Sequence, residues 1–345
     1  MTNPDTPSLT VTSFRGLTNR LRVMLSAIAL AEATGRHLCI LWAPTRDCAA
    51  RFDDLFQVPP FAGVDMRRVT IEEVPLSSVI DLPSVPFGGG GERLPDLTAD
   101  VTRHIALEYV AWLVQPERFP HHAPLYQRCA ELLATIRPIA SIAERATHFQ
   151  SEYFRPIMIG VHLRRGDMLR AYPDKVNNTD AALAAVDGYL DRQPDAGIFL
   201  ATDDGAVDQH TVSVRHDGLR DLFQRRYGDR VVGAAPRSLD RRSPIAIQDA
   251  LVDLLLLRAT DFFVGTRVST FSHMVTFGRS VPATLCAGAE PPYRGLAYFA
   301  RRSGMKLVPL WLRVKRLPAR LWERLQQRYA PAAYRRARLR RWSLP

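Results

Sequence analysis

Nothing in the 345-residue sequence gives a run of the ~18–20 uninterrupted apolar residues that a membrane-spanning helix needs. Met1 to Thr10 are polar, include Asp5 and hold no basic run, so they do not read as a secretory signal, and the cytoplasm is the expected compartment. Cysteine is scarce. Cys39, Cys48, Cys129 and Cys286 form no C-x-x-C pair and have no histidine at zinc spacing, which argues against a disulfide framework or a structural metal. No Asp-x-Asp occurs anywhere, so a metal held by that carboxylate pair is not expected. Internal repeats of 20–50 residues, the mark of solenoids and propellers, are also missing.

Acidic residues are missing from one region in particular. Residues 301–345 hold 14 Lys and Arg against Glu323 alone, and the first 300 residues carry 32 basic and 34 acidic groups. The net charge of +11 therefore belongs to a tail, and the near-neutral body does not fit a nucleic-acid partner, which would need basic groups across a docking face. Within the tail Leu317, Leu321, Leu325 and Tyr329 recur every four residues beside Arg320, Arg324 and Arg328, which is an amphipathic basic helix. It can pack its apolar stripe on the body. It can equally hold an anionic membrane surface through residues 311–342, with Trp311, Trp322 and Trp342 at the interface. The second reading places the protein peripherally at the inner face of the membrane.

The body reads as two α/β units. Leu9 to Phe14 alternates like a strand, Gly16 to Arg20 makes a turn, and Leu21, Met24, Leu25, Ile28 and Ala31 follow at helical spacing up to Gly35. Leu38 to Trp42 reads as the next strand. Residues 57–100, with the run Gly88 to Gly91, read as irregular connections, and helical patterns are expected near 105–113 and 125–150. A second unit opens with the buried strand Ile157 to Leu163. Further strands fall at 197–202, 230–233 and 262–265, with helices around 180–192, 206–227 and 245–258 between them. Two Rossmann-like domains, 1–150 and 151–300, facing across a cleft and followed by a helical tail at 301–345, are the expected architecture.

Three segments carry chemistry. His162-Leu163-Arg164-Arg165-Gly166-Asp167 follows a buried strand, and ligands of open parallel sheets sit at the carboxyl ends of strands. Paired guanidiniums with an acid beside them suit a pyrophosphate, although a solvated charged loop would use the same letters. Thr202-Asp203-Asp204 ends the next strand. Its carboxylates can hold ribose hydroxyls, fix an arginine or cap the following helix. Asp253 lies on an amphipathic helix that leads to a strand and the Ser/Thr-rich turn containing Ser269 and Thr270, where hydroxyls and backbone N–H groups make an anion site or a simple cap.

Taken together with the Gly16-Leu17-Thr18-Asn19-Arg20-Leu21 loop, these segments resemble the fucosyltransferase superfamily that groups α-1,6-, α-1,2- and protein O-fucosyltransferases. The specific matches are H-x-R-R-x-D at 162–167 and the 16-residue interval from Asp253 to Ser269. The resemblance covers most of residues 9–275. It implies the GT-B fold, a GDP-fucose donor, inversion at the anomeric carbon and no metal requirement. His162 and Asp253 would meet the guanine, Arg164 would neutralise the departing β-phosphate, and Arg165 would stand beside it. Asp167, Asp203 and Asp204 would brace the arginines or touch the donor, Ser269 and Thr270 would lie near the diphosphate, and Gly16 and Asn19 would reach it from the first domain. The acceptor would be a glycan or a lipid-linked glycan.

The sequence departs from the family at three places. Met168 replaces a Lys, Tyr172 replaces the Glu proposed as general base, and Thr18 replaces a Gly. Asp167, Asp174 or an acid of the first domain remain candidates for the base. A transferase with another nucleotide sugar, a non-catalytic GDP-sugar or glycan binder, and a tail-driven nucleic-acid binder are the alternatives.

Overall fold

The computed structural model describes residues 7–57, 64–68, 94, 96–99, 101, 105–108, 111–166, 168, 173–176, 178–204 and 218–288. The tail at 301–345, the glycines 88–91 and Asp167 lie outside the described residues. Two sheets organise the rest. The first contains β1 (Ser8–Thr12), β2 (His37–Trp42), β3 (Val64–Arg68) and β4 (Ile105–Glu108) in the order β3-β2-β1-β4. The second contains β5 (Met158–Leu163), β6 (Gly197–Thr202), β7 (Val231–Val232), β8 (Phe262–Thr266) and β9 (Ala283–Cys286) in the order β7-β6-β5-β8-β9. Every strand pair is parallel.

Each sheet grows outward from its first strand and then reverses, so β1/β4 and β5/β8 are its switch points. In open parallel sheets the ligand crevice lies at such a point, at the carboxyl ends of the strands, because the connections on either side leave in opposite directions. The segments after β5 and after β8 both start from that point.

The helices follow from the buried pattern of the sequence. α1 (Leu17–Thr34) buries residues such as Leu21, Met24, Leu25 and Ile28, each contributing about 1.5–3 kcal/mol of apolar burial. It stops at Gly35, whose φ of 65° is a left-handed conformation that a Cβ would oppose. α2 (Ala123–Thr135) packs on α1, and α3 (Ala140–Tyr153) follows after Pro138 breaks the helical run. α3 lies not on the first sheet but against α7 (Pro244–Arg258) of the second. The remaining helices are α4 (Pro173–Val176), α5 (Thr179–Leu190), α6 (Leu219–Tyr227) and α8 (Thr270–Thr276).

Strands β5 and β6 are buried along their whole length, as two-faced parallel strands must be. Ile159, Val161 and Leu163 face one apolar cluster with Ile198 and Leu200. Met158, Phe199 and Ala201 face the other, which is continuous with the core around α1. The four cysteines are buried and unbridged. Among the described residues no helix is long and apolar enough to cross a membrane.

The helix expected near 105–113 is a correction. Ile105–Glu108 forms β4, pairing with β1, and the chain from 111 to 119 is irregular. The four letters Ile-Ala-Leu-Glu suit either state, and the vacant edge of β1 decides it. Strands β3 and β9 were not visible as periodic segments.

Candidate functional site

Arg164 and Arg165 begin where β5 ends. The Arg164 N–H donates to Thr266 Oγ1 at the end of β8 (2.9 Å), which locks the two strand ends together at the switch point. Asn178 Nδ2 donates to the same hydroxyl at 3.2 Å and to the Cys286 carbonyl at 3.2 Å. The Arg164 guanidinium contacts Asp203 Oδ2, while the Arg165 N–H donates to Asp203 Oδ1 at 2.6 Å. Gly166 turns the chain at φ 34°, and a Cβ there would meet Asp203 Oδ2 at 2.6 Å. Asp203 thus fixes the backbone of one arginine and the side chain of the other. Arg241 Nη2 lies 3.7 Å from the same carboxylate.

The two arginines diverge. Arg165 Nη2 donates to Thr179 Oγ1 at the start of α5, and its buried Nε has no hydrogen-bond partner. Burial lowers its pKa, with Asp204 acting in the opposite direction. The paired acids also divide their work. Asp204 Oδ2 accepts the Leu219 N–H at 2.8 Å and so serves the first turn of α6, whereas Asp203 serves the arginines.

His162 is 7% exposed. Its Nδ1 lies 2.7 Å from Ser272 Oγ, and that oxygen also accepts the Thr266 N–H at 3.1 Å. The serine hydroxyl thus links the imidazole of β5 to the backbone at the end of β8. Burial, then the nearby Arg164 charge, push the His162 pKa down to about 3, so the ring is neutral. Its ring packs against Phe271 at 4.7 Å between centroids.

Asp253 sits on α7. Burial pushes its pKa up to about 7, opposed by Arg220 and reinforced by Asp249, one turn earlier on the same face. Asp249 itself is clamped: it accepts from the Arg237 N–H at 2.6 Å and Nε at 2.9 Å, and pairs with Arg145 Nη2 at 2.9 Å. Burial works against its charge, but these donors outweigh it and hold the carboxyl below the usual range.

Ser269 is the N-cap of α8, yet its side chain makes no capping bond. The Thr270 hydroxyl meets that of Thr18 at 3.0 Å, which brings the start of α1 to the start of α8. Gly16 is the N-cap of α1 and Asn19 is half-buried in its first turn. Arg20, 3% exposed, donates to the carbonyls of Arg15 (2.9 Å) and Ala43 (2.7 Å) and to Thr45 Oγ1 (2.9 Å), holding the loop in place. Of the residues singled out in the sequence, Arg164, Arg165 and Asp203 meet directly, and Thr270 joins the first loop through Thr18. Asp253 is tied instead to Arg220, Asp249 and Arg145. Asn178, Thr266, Ser272 and Arg241 also hold the site; Thr266 and Ser272 fall in the Ser/Thr-rich turn, whereas Asn178 and Arg241 carried no motif signal.

A second polar cluster joins Asp96, His121 and His122, all within metal-ligand reach of one another. His122 Nδ1 accepts the Gln115 N–H at 3.0 Å, so its proton lies on Nε2, directed at Asp96 Oδ1 3.0 Å away. A nitrogen that carries a proton has no lone pair for a metal. His122 is therefore a hydrogen-bonded clasp, with Asp96 also accepting from Thr98.

The two parallel sheets, each reversing beside its first strand, place the chain in the Rossmann-like α/β class. No family model matches it, and no curated protein matches it. Among solved structures, an Arabidopsis thaliana FUT1 mutant in complex with GDP is similar at TM-score 0.52 and 13% identity, over 84% of this chain and 76% of that one. NodZ alpha-1,6-fucosyltransferase co-crystallized with GDP follows at 0.49 and 18%, over 84% and 100%. POFUT1 in complex with GDP-fucose gives 0.49 and 16%, over 84% and 99%. At these identities the likeness is one of fold.

Proposed function

We infer that the chain is a glycosyltransferase of the fucosyltransferase type that takes fucose from GDP-fucose and passes it, with inversion and without a metal, to a glycan or lipid-linked glycan. The observation that carries this reading is Arg164, held by Asp203 and anchored through Thr266 at the switch point of a parallel sheet. In the proposed reaction an acceptor hydroxyl gives its proton to a carboxylate base as its oxygen attacks the anomeric carbon, the bond to the β-phosphate oxygen breaks, and that oxygen leaves with the electron pair. Arg164 balances the charge as it forms, and its preset position avoids solvent reorganisation. Neutral His162 would meet the guanine through its Nε2 edge, and Asp253 can take the two N–H groups on the guanine edge once it is ionised.

The proposed division is an acceptor domain at 1–150, a donor domain at 151–300 with a cleft between them in the GT-B manner, and a basic tail at 301–345. We place the protein in the cytoplasm, held at the inner membrane face by residues 311–342. Asp167, Asp174 or an acid of the first domain is kept as the proposed base. Calorimetry and donor hydrolysis with GDP-fucose, GDP-mannose and UDP-sugars test the reading. GDP nucleotides are expected to bind selectively, and Arg164→Ala should lose ~10²–10³ in turnover. Equal affinity for UDP, or turnover unchanged in Arg164→Ala, would overturn it.

A further inference from the structure

A cavity of about 630 Å³ lies between α1, α2 and α8. A volume in that range suits a small-molecule ligand. Trp112, Tyr126 and Phe277 line it, packed on one another with ring centroids 4.4 Å (Trp112–Phe277), 5.1 Å (Tyr126–Phe277) and 5.2 Å (Trp112–Tyr126) apart. Thr270, whose hydroxyl meets Thr18, also lines it, so the cavity adjoins the turn assigned above to the donor.

Arg22 supplies its charge. The guanidinium lies 5.7 Å from the Trp112 ring centroid, and its buried Nε has no hydrogen-bond partner. No carboxylate lines the cavity among the described residues. Arg22 is half-buried, and its exposed N–H groups, in a lining without a carboxylate, suit an anionic guest. His273 adds an acceptor. Its Nε2–H is directed at the Arg267 carbonyl 2.7 Å away, which leaves Nδ1 for a hydroxyl.

We propose that this cavity binds a pyranose carrying a carboxylate or phosphate, its apolar C–H face against the aromatic wall and its anionic group on Arg22. A pyranose ring presents C–H groups on one face and hydroxyls at its rim, which matches a wall of aromatic side chains edged by Arg22, His273 and Thr270. An uncharged sugar would leave Arg22 unmatched, and a bare anion would leave the rings unused. That the saccharide serves as acceptor rests on the proposed transfer reaction; that it binds here does not.

Methyl β-glucuronide, glucose 6-phosphate, methyl β-glucoside and inorganic phosphate, titrated against the full chain by NMR, test the site and separate carboxylate from phosphate. At least one of the two charged sugars should bind roughly tenfold tighter than the glucoside, the ratio expected of one charge-assisted hydrogen bond. Arg22→Gln should abolish that preference, Arg22→Lys should keep part of it, and Trp112→Leu should weaken all three sugars. Equal binding of charged and neutral sugars, a preference that survives Arg22→Gln, or phosphate binding as tightly as the sugar phosphate would each overturn the proposal. GDP calorimetry on the same samples separates the two readings. Normal GDP binding with no saccharide discrimination removes this site alone, whereas saccharide discrimination without GDP binding removes the donor site alone.

Discussion

The hydroxyls of Thr18 and Thr270, 252 positions apart in the chain, meet at 3.0 Å. One belongs to the first turn of α1, the other to the first turn of α8, so the loop leaving β1 and the loop leaving β8 are held to each other by side chains. The family resemblance expects glycine at position 18. The larger residue here builds a bridge that glycine could not.

A double-mutant cycle measures that bridge. Thr18→Val and Thr270→Val should each destabilise modestly, with a coupling of about 0.5–1 kcal/mol in urea denaturation. Strict additivity of the two would show that the hydroxyls do not depend on each other.

Gly166→Ala should damage the site more than the fold. The added Cβ would sit at a left-handed φ of 34° and press on Asp203 Oδ2, at a strain of about 1–2 kcal/mol. Because Asp203 positions Arg164, GDP affinity should fall about tenfold or more. Calorimetry beside a thermal melt checks it: a lower Tm with unchanged GDP affinity would separate Gly166 from the site.

His162 and Asp253 make opposite pH dependences. The His162 pKa is about 3 in the folded chain, below its unfolded value near 6.5. Between those values the unfolded chain binds more protons, so this group costs stability as pH falls. Asp253 is at about 7 when folded and near 3.9 when unfolded, so its stabilisation is present at low pH and lost as pH rises through 7. Across roughly pH 4–6.5 the two slopes oppose each other. Asp253→Asn should therefore gain stability relative to the parent chain as pH rises from 4 to 7, by about 1.4 kcal/mol per pH unit at most. If the guanine edge takes Asp253 as a carboxylate, GDP binding at pH 6 should release up to one proton per site, readable by calorimetry in buffers of different ionisation enthalpy.

Asp249 is the clearest stability determinant outside the crevice. It joins Arg145 of α3 to Arg237 and to α7, and its side chain is 8% exposed. Asp249→Ala should cost about 2 kcal/mol, tempered by the partial exposure of both arginines. A change within 0.5 kcal/mol in urea denaturation would contradict the clamp.

Much of this was legible because it depends on local pattern. The apolar run Ile157–Val161, followed three residues on by two arginines, gave both a buried strand and the charged loop at its carboxyl end. The pairing of Arg164 with Asp203 was only one of three readings of the Thr-Asp-Asp segment, because the next acid, Asp204, has the same chemistry and turns out to serve α6. Asn178 was not legible at all, and Thr266 and Ser272 were legible only as members of a Ser/Thr-rich turn, without their partners. A threonine or asparagine becomes part of a site when distant strand ends converge, and β5 and β8 are about a hundred residues apart. The same holds for β4, whose four residues become a strand because β1 has an edge to offer, and for the cavity beneath Arg22, whose walls come from three separated segments.

One apolar cluster runs unbroken from Leu9 and Val11 through α1 to Phe199, Leu251 and Phe263. Anyone exchanging parts of this protein with a relative to change its specificity inherits that seam. A chimaera cut after α3 would strip the second sheet of Phe149, which meets Phe199 at 5.7 Å, and of Arg145. The junction that leaves both contacts whole is the proline break at Pro138.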